Sequence, residues 1–159
     1  MGTLRATPAS RESTHSRDAA LLVARVALAW IFIYHGARTL FGAFHGPGLH
    51  AMASYFATTA GLHPGMLFAV ANGVIEFGGG IAIGLGVLTR LAAAGLVVDM
   101  VMAFVTVTRH NGLVSNAPGS GYEINLALAA LAAVVVLLGP GRLGLGGWWH
   151  RTPTRVSAD

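Results

Sequence analysis

The sequence predicts an all-α fold: an integral membrane four-helix bundle, both termini cytoplasmic, with a short interfacial helix between spans one and two. Three observations lead there. Of 159 residues, 54% are hydrophobic and 10% charged, with a mean hydropathy of +0.65, against roughly 25% charged in a soluble globular chain. The apolar residues gather into four runs, each close to the ~20 residues that cross a bilayer. The basic residues, all Arg, collect at the ends and in the connections.

Residues 1–18 are polar, with Arg5, Arg11 and Arg17 among Ser, Thr and Pro, and read as a disordered cytoplasmic tail. A four-span transmembrane domain is expected over 19–143, with a second cytoplasmic tail over 144–159. The first run, Ala19 to about Leu40, is too long for a signal peptide and is interrupted by Arg25, so it reads as an uncleaved span. In the connection from Gly42 to Pro64, Leu49, Met52, Phe56 and Ala60 recur at helical spacing, which predicts a short helix on the outer membrane surface. The second run is Gly65 to Leu88. The third, Leu91 to Thr108, has 18 residues, and at ~1.5 Å each reaches about 27 Å. Thr89-Arg90 leaves only a tight turn before it. A polar, irregular loop from Arg109 to Gly121 leads to the fourth run, Tyr122 to Leu138. Gly139-Pro140-Gly141 ends that run, because Pro cannot continue the hydrogen-bond ladder and Gly frees the backbone.

Orientation follows from Arg. With both termini inside, Arg5, Arg11, Arg17, Arg90, Arg142, Arg151 and Arg155 are cytoplasmic, Arg38 and Arg109 lie opposite, and Arg25 is within a span. Trp148-Trp149 then sits beside His150 and Arg151 at the inner interface. The net charge of +4 is thus a matter of orientation and not of nucleic-acid binding. The absence of Cys removes disulfides, thiol chemistry and thiolate metal sites. No phosphate loop, hydrolase triad or zinc motif is present. Neither a catalytic residue nor a metal site is expected, and the chain is not expected to be an enzyme on its own.

Ionisable groups at membrane depth are the informative residues: Arg25, His35 and Arg38 on span one, Glu76 on span two, Asp99 on span three and Glu123 at the start of span four. A charge at a span centre costs about 2.5–3.5 kcal/mol on the insertion scale, so each needs a partner, a proton or a water-lined interior. Estimated depth pairs Arg25 with Asp99 as a structural ion pair. At the outer end it groups His35, Arg38 and Glu123, with Asn125 close by and Glu76 beneath, as a ligand or polar cluster. Glu76 reads equally as a bundle hydrogen-bond donor or a proton-relay site, and the outer cluster as a helix cap or a head-group site. Asn72 and Gly73, Gly80 and Gly84, spaced around Glu76, read as close helix packing, with a groove for a flat apolar ring as the alternative.

These positions resemble the DoxX family of small four-span bacterial membrane proteins. The resemblance rests on Arg25, on His35-Gly36-Ala37-Arg38, on Glu76-Phe77-Gly78-Gly79-Gly80 and on Gly86-Val87-Leu88-Thr89-Arg90. It continues in Glu123-Ile124-Asn125 and Gly139-Pro140-Gly141-Arg142. Two departures stand out. Arg38 replaces a frequent Lys, which keeps the charge and changes its geometry, and Gly144-Leu145-Gly146 follows where the family often has Ser-Leu-Asp. The resemblance implies a multi-pass protein of the bacterial plasma membrane, whose family name looks back to archaeal thiosulfate:quinone oxidoreductase subunits. The leading expectation is a membrane anchor or accessory subunit in redox or oxidative-stress metabolism, with quinone as candidate cofactor. Its expected partners are the lipid bilayer, redox proteins and further copies of itself, without nucleic acid. A ligand-free structural scaffold and a small-solute or proton transporter are the alternatives.

Overall fold

The computed structural model describes residues 8–114 and 121–148, and all regular structure within them is helical. Five α-helices follow one another: α1 Pro8–Phe41, α2 Gly48–Thr58, α3 Gly65–Leu85, α4 Thr89–Thr106 and α5 Glu123–Leu138. Three stretches are long and apolar enough to cross a membrane, Thr14–Phe41, Gly65–Leu85 and Thr89–Thr106. α5, with 16 residues, extends about 24 Å. Arg5, Trp149, His150, Arg151 and Arg155, on which the reading of orientation leans, lie outside the described residues, as does the centre of the polar loop, 115–120.

α1 begins well before the apolar run. Residues 8–18, expected from the sequence to belong to a disordered tail, are helical. Pro8 stands in the first turn, where its missing N–H breaks no ladder bond, and extending a helix already formed from Ala19 onward needs no new nucleus. The extension is also tied down, since the Arg142 N–H donates to Asp18 Oδ1 at 3.1 Å.

Helix ends follow the turn chemistry. Gly86 (φ 75°) takes the left-handed conformation after α3, its N–H donating to Ile83 O and that of Val87 to Ala82 O. This pairing satisfies the last carbonyls of a helix and favours Gly at that position. α4 starts two residues later, so α3 and α4 form a tight antiparallel pair. α5 ends at Gly139, ahead of Pro140.

Burial follows the helical period. Leu21, Ala24, Leu28 and Phe32 face inward on α1, as do Ala69, Glu76 and Ile83 on α3, and Ala93, Leu96 and Met100 on α4. The opposite faces are apolar and bare. Trp30 is 78% exposed and Leu137 75%, an arrangement that suits lipid and not water. α1 packs along α3, α3 along α4, and α4 along α5, while α2 lies across α3 and the edge of α1. The sealed core, built on Leu28, Phe32, Ile83, Leu96, Ala132 and Val135, occupies the half of the bundle near the α3–α4 turn. The other half is open.

Close approach of α1 and α3 depends on small residues. A Cβ on Gly36 would collide with the backbone of Phe77, which cannot move aside as a side chain could, whereas a Cβ on Gly78 would meet nothing. Gly36→Ala is therefore expected to lower stability by about 1–3 kcal/mol through overpacking, while Gly78→Ala is neutral or stabilising by up to about 1 kcal/mol. Thermal unfolding of the detergent-solubilised variants, followed by circular dichroism, checks the contrast; equal melting temperatures would refute it.

Candidate functional site

The open half of the bundle encloses a cavity of about 770 Å³ between α1, α2, α3 and α4. Its walls are largely apolar and aromatic, with Tyr34, Tyr55, Phe56 and Phe68 among them, and its ionisable and amide side chains come from three helices. α1 contributes His35 and Arg38, α3 contributes Asn72 and Glu76, and α4 contributes Asp99. α2 closes one side with the face that carries Met52 and Phe56, the apolar spacing read from the sequence.

Each polar group is held by its own element. The Arg38 guanidinium donates to Tyr34 Oη at 3.2 Å and to Phe44 O at 3.3 Å, and stands 5.6 Å from the Tyr34 ring centroid. Tyr34 stacks on Phe44 with ring centroids 5.0 Å apart and meets the His35 ring edge-on at 5.8 Å. The short 3₁₀ turn Ala43–His45 brings the Phe44 carbonyl back over the last turn of α1. Arg38 is thus fixed by neutral acceptors and an aromatic face, and its contacts among the described residues include no carboxylate. Between α3 and α4, Asn72 Nδ2 donates to Asp99 Oδ1 at 2.8 Å. Asn72 is also the polar neighbour of the Glu76 carboxyl, one turn further along α3. Asp99 Oδ2 is buried with no hydrogen-bond partner. The site therefore gathers a cation and an imidazole from α1 with two carboxyls bridged by an amide from α3 and α4.

Two expectations need correction. Arg25 and Asp99 do not pair. Arg25, 1% exposed, donates to Ile83 O and Pro140 O at 2.8 Å and to Gly84 O at 2.9 Å. These carbonyls cluster at the α3–α4 turn, whereas Asp99 lies ten residues along α4 from Thr89, about 15 Å by helical rise, beyond the reach of a guanidinium. A cation at the C-terminal end of α3 is also favoured by the helix dipole. The structure makes Arg25 a clamp on helix ends.

Glu123 does not join His35 and Arg38. α5 packs chiefly on α4, with a smaller contact to α1, and the first turn of α5 meets the loop at Leu113. The Glu123 N–H donates to Leu113 O at 3.2 Å, and Glu123 Oε2 is buried without a partner. Asn125 stands behind the cavity wall, its Oδ1 accepting from Thr108 Oγ1 at 3.3 Å and its Nδ2 facing Met100 Sδ at 3.8 Å. His35, Arg38 and Glu76 do share one cavity. Gly73, Gly80 and Gly84 pack against Leu40, Ile33 and Ala29 of α1, so the glycine face is a helix contact and the open space lies on another face of α3.

Tyr34 and Asn72 carry more of the site than their types suggest. The signal was in the spacing: Tyr34 precedes Arg38, and Asn72 precedes Glu76, by one helical turn, which places each pair on a common face.

The DoxX family model matches residues 20–109, more than half of the chain. The chain belongs to the DoxX family. No curated protein and no solved structure matches it. The DoxX match spans α1 to α4 and contains every cavity-lining residue from Tyr34 to Thr108. Glu123 and Asn125 fall outside the matched DoxX segment, in keeping with their place behind the wall.

Proposed function

We propose that this DoxX protein is a four-span subunit of the bacterial plasma membrane, both termini cytoplasmic, that binds a quinone in the lateral cavity and serves redox partners as an accessory. The observation that carries the reading is the pairing of a roomy, aromatic-walled cavity with hydrogen-bonding groups contributed by α1, α3 and α4. Ring-shaped apolar ligands favour such a slot, with a few convergent polar groups to orient them. His35 and the Arg38 guanidinium supply donors toward one carbonyl, while Asn72 and the Asp99 and Glu76 carboxyls serve the other oxygen. A quinone bound there would carry electrons and protons between membrane partners. The residues of this chain bind and orient it, and Glu76 and Asp99 can hold or pass a proton at their carboxyl oxygens.

Four crossings are supported by α5, whose mostly apolar 16 residues are bracketed by Tyr122 and Arg142, groups that favour the interface. In the same arrangement α2 lies at the outer surface. The test is lipid extraction and absorbance scanning of protein purified from native membranes. Bound quinone is expected, with occupancy lowered about tenfold in His35→Ala and Glu76→Gln. Absence of quinone, together with unchanged quinone reduction in membranes lacking the protein, would sink the reading. Variants at normal protein levels with wild-type oxidant resistance would leave a scaffold in its place.

A further inference from the structure

A second cavity lies at the opposite end of the bundle, about 780 Å³ in volume, and its described lining residues are Gly86 to Leu91, Pro140 and Gly146. We propose that it is an anion site that receives the phosphate of a lipid headgroup.

Two independent features meet there. The first is the N-terminus of α4. Its first ladder bond runs from the Ala92 N–H to Leu88 O at 3.0 Å, so the N–H groups of Thr89, Arg90 and Leu91 have no carbonyl within their own helix. The residue before the helix, Leu88, has no side chain able to cap them. The second is Thr89 itself. It is 3% exposed, lines the cavity, and its Oγ1 is buried with no hydrogen-bond partner. A buried hydroxyl left unpaired is costly, and a phosphate oxygen would pair it.

Charge and surroundings agree with a phosphate. Arg90 lines the same cavity, and its one hydrogen bond, to Leu137 O, is long at 3.4 Å. Free first-turn amides, a hydroxyl and a guanidinium are the donor set that a phosphodiester accepts. Among the described side chains, the carboxylate at this end of the bundle is Asp18, which is engaged by the Arg142 N–H and does not line the cavity. Leu88 and Leu91, each 70% exposed, offer apolar walls beside the anion site, as an acyl chain requires. Among the described lining residues there is no carboxylate to receive a headgroup ammonium. The site therefore prefers a net-anionic headgroup to a zwitterionic one.

Native mass spectrometry of the full chain in zwitterionic detergent, titrated with phosphatidylglycerol, phosphatidylcholine or inorganic phosphate, tests the proposal. One phosphatidylglycerol is expected to be retained, with affinity about tenfold weaker in Thr89→Val and in Arg90→Gln. Arg109→Gln, at the other end of the bundle, should bind as wild type. Thr89→Val is close to isosteric and Arg90 is exposed, so at least one variant remains folded and readable. Wild-type phosphatidylglycerol affinity in both variants, or equal retention of phosphatidylcholine, would overturn the proposal. Retention of inorganic phosphate in place of lipid, lost in Thr89→Val, would overturn the lipid source and assign the site to a soluble phosphate.

Discussion

Arg25→Met should lose about 4 kcal/mol of stability, the largest loss expected from any single substitution here. The wild-type guanidinium satisfies three carbonyls from two separate segments, Ile83 and Gly84 at the end of α3 and Pro140 after α5. Hydrogen bonds from a charged donor contribute about 1.5–3 kcal/mol each, and unpaired buried acceptors add a desolvation penalty. Methionine fills much of the volume but donates nothing. Removal of the buried charge itself returns part of the loss, which keeps the net figure near the size of two such bonds. Arg25→Lys should fall between, because a single ammonium lacks the planar fork that reaches both helix ends at once. Melting temperature in detergent and steady-state abundance in membranes read the series. Equal stability of Arg25→Met and wild type would refute the clamp.

The second large effect is expected at the amide bridge. Asn72→Leu removes the donor to Asp99 Oδ1 and leaves a carboxyl in an apolar wall with neither oxygen paired, since Oδ2 already has no partner. Asp99→Leu carries a smaller penalty, because the amide keeps its Glu76 neighbour. The double variant Asn72→Leu/Asp99→Leu replaces that hydrogen-bonded pair by apolar groups, a change that is often nearly neutral for stability, and Glu76 loses its amide neighbour no more than in Asn72→Leu alone. Its melting temperature should lie above that of Asn72→Leu. Ligand occupancy should behave differently, falling at least tenfold in all three variants, because the cavity loses part of its polar lining. Stability that fell additively in the double variant would show that the two residues do not interact. Wild-type occupancy in the double variant would remove this pair from the site.

Much of the helical layout was legible before any coordinates. The apolar runs around residues 19–40, 65–88, 91–108 and 122–138 correspond to α1, α3, α4 and α5, and the spacing of Leu49, Met52 and Phe56 anticipates α2, which ends at Thr58, short of Ala60. Gly139-Pro140 marks the end of α5 because those residues act through local backbone geometry. His35, Arg38 and Glu76, grouped by estimated depth with Glu76 beneath, do line one cavity, though depth alone does not turn their helices toward it. Arg25–Asp99 failed on depth. α1 reaches down to Pro8, so counting from Ala19 as its inner end set Arg25 on a false scale against α4. Glu123 failed on neighbourhood: estimated depth sets it near Arg38, but the first turn of α5 meets the loop at Leu113 and does not line the cavity.

What the amino-acid order determined by itself is what depends on near neighbours in the chain: the apolar helices, the ends marked by Gly and Pro, an apolar exterior, and the order of the ionisable groups along each helix. Which groups meet was decided by the tertiary structure alone. Two side chains at one level touch only if their helices are adjacent and rotated toward each other, and that rotation comes from packing. Gly36 against Phe77 and Gly80 against Ile33 lock α1 onto α3. That contact leaves His35 and Arg38 on the cavity side and sends Arg25 to the carbonyls of a distant turn.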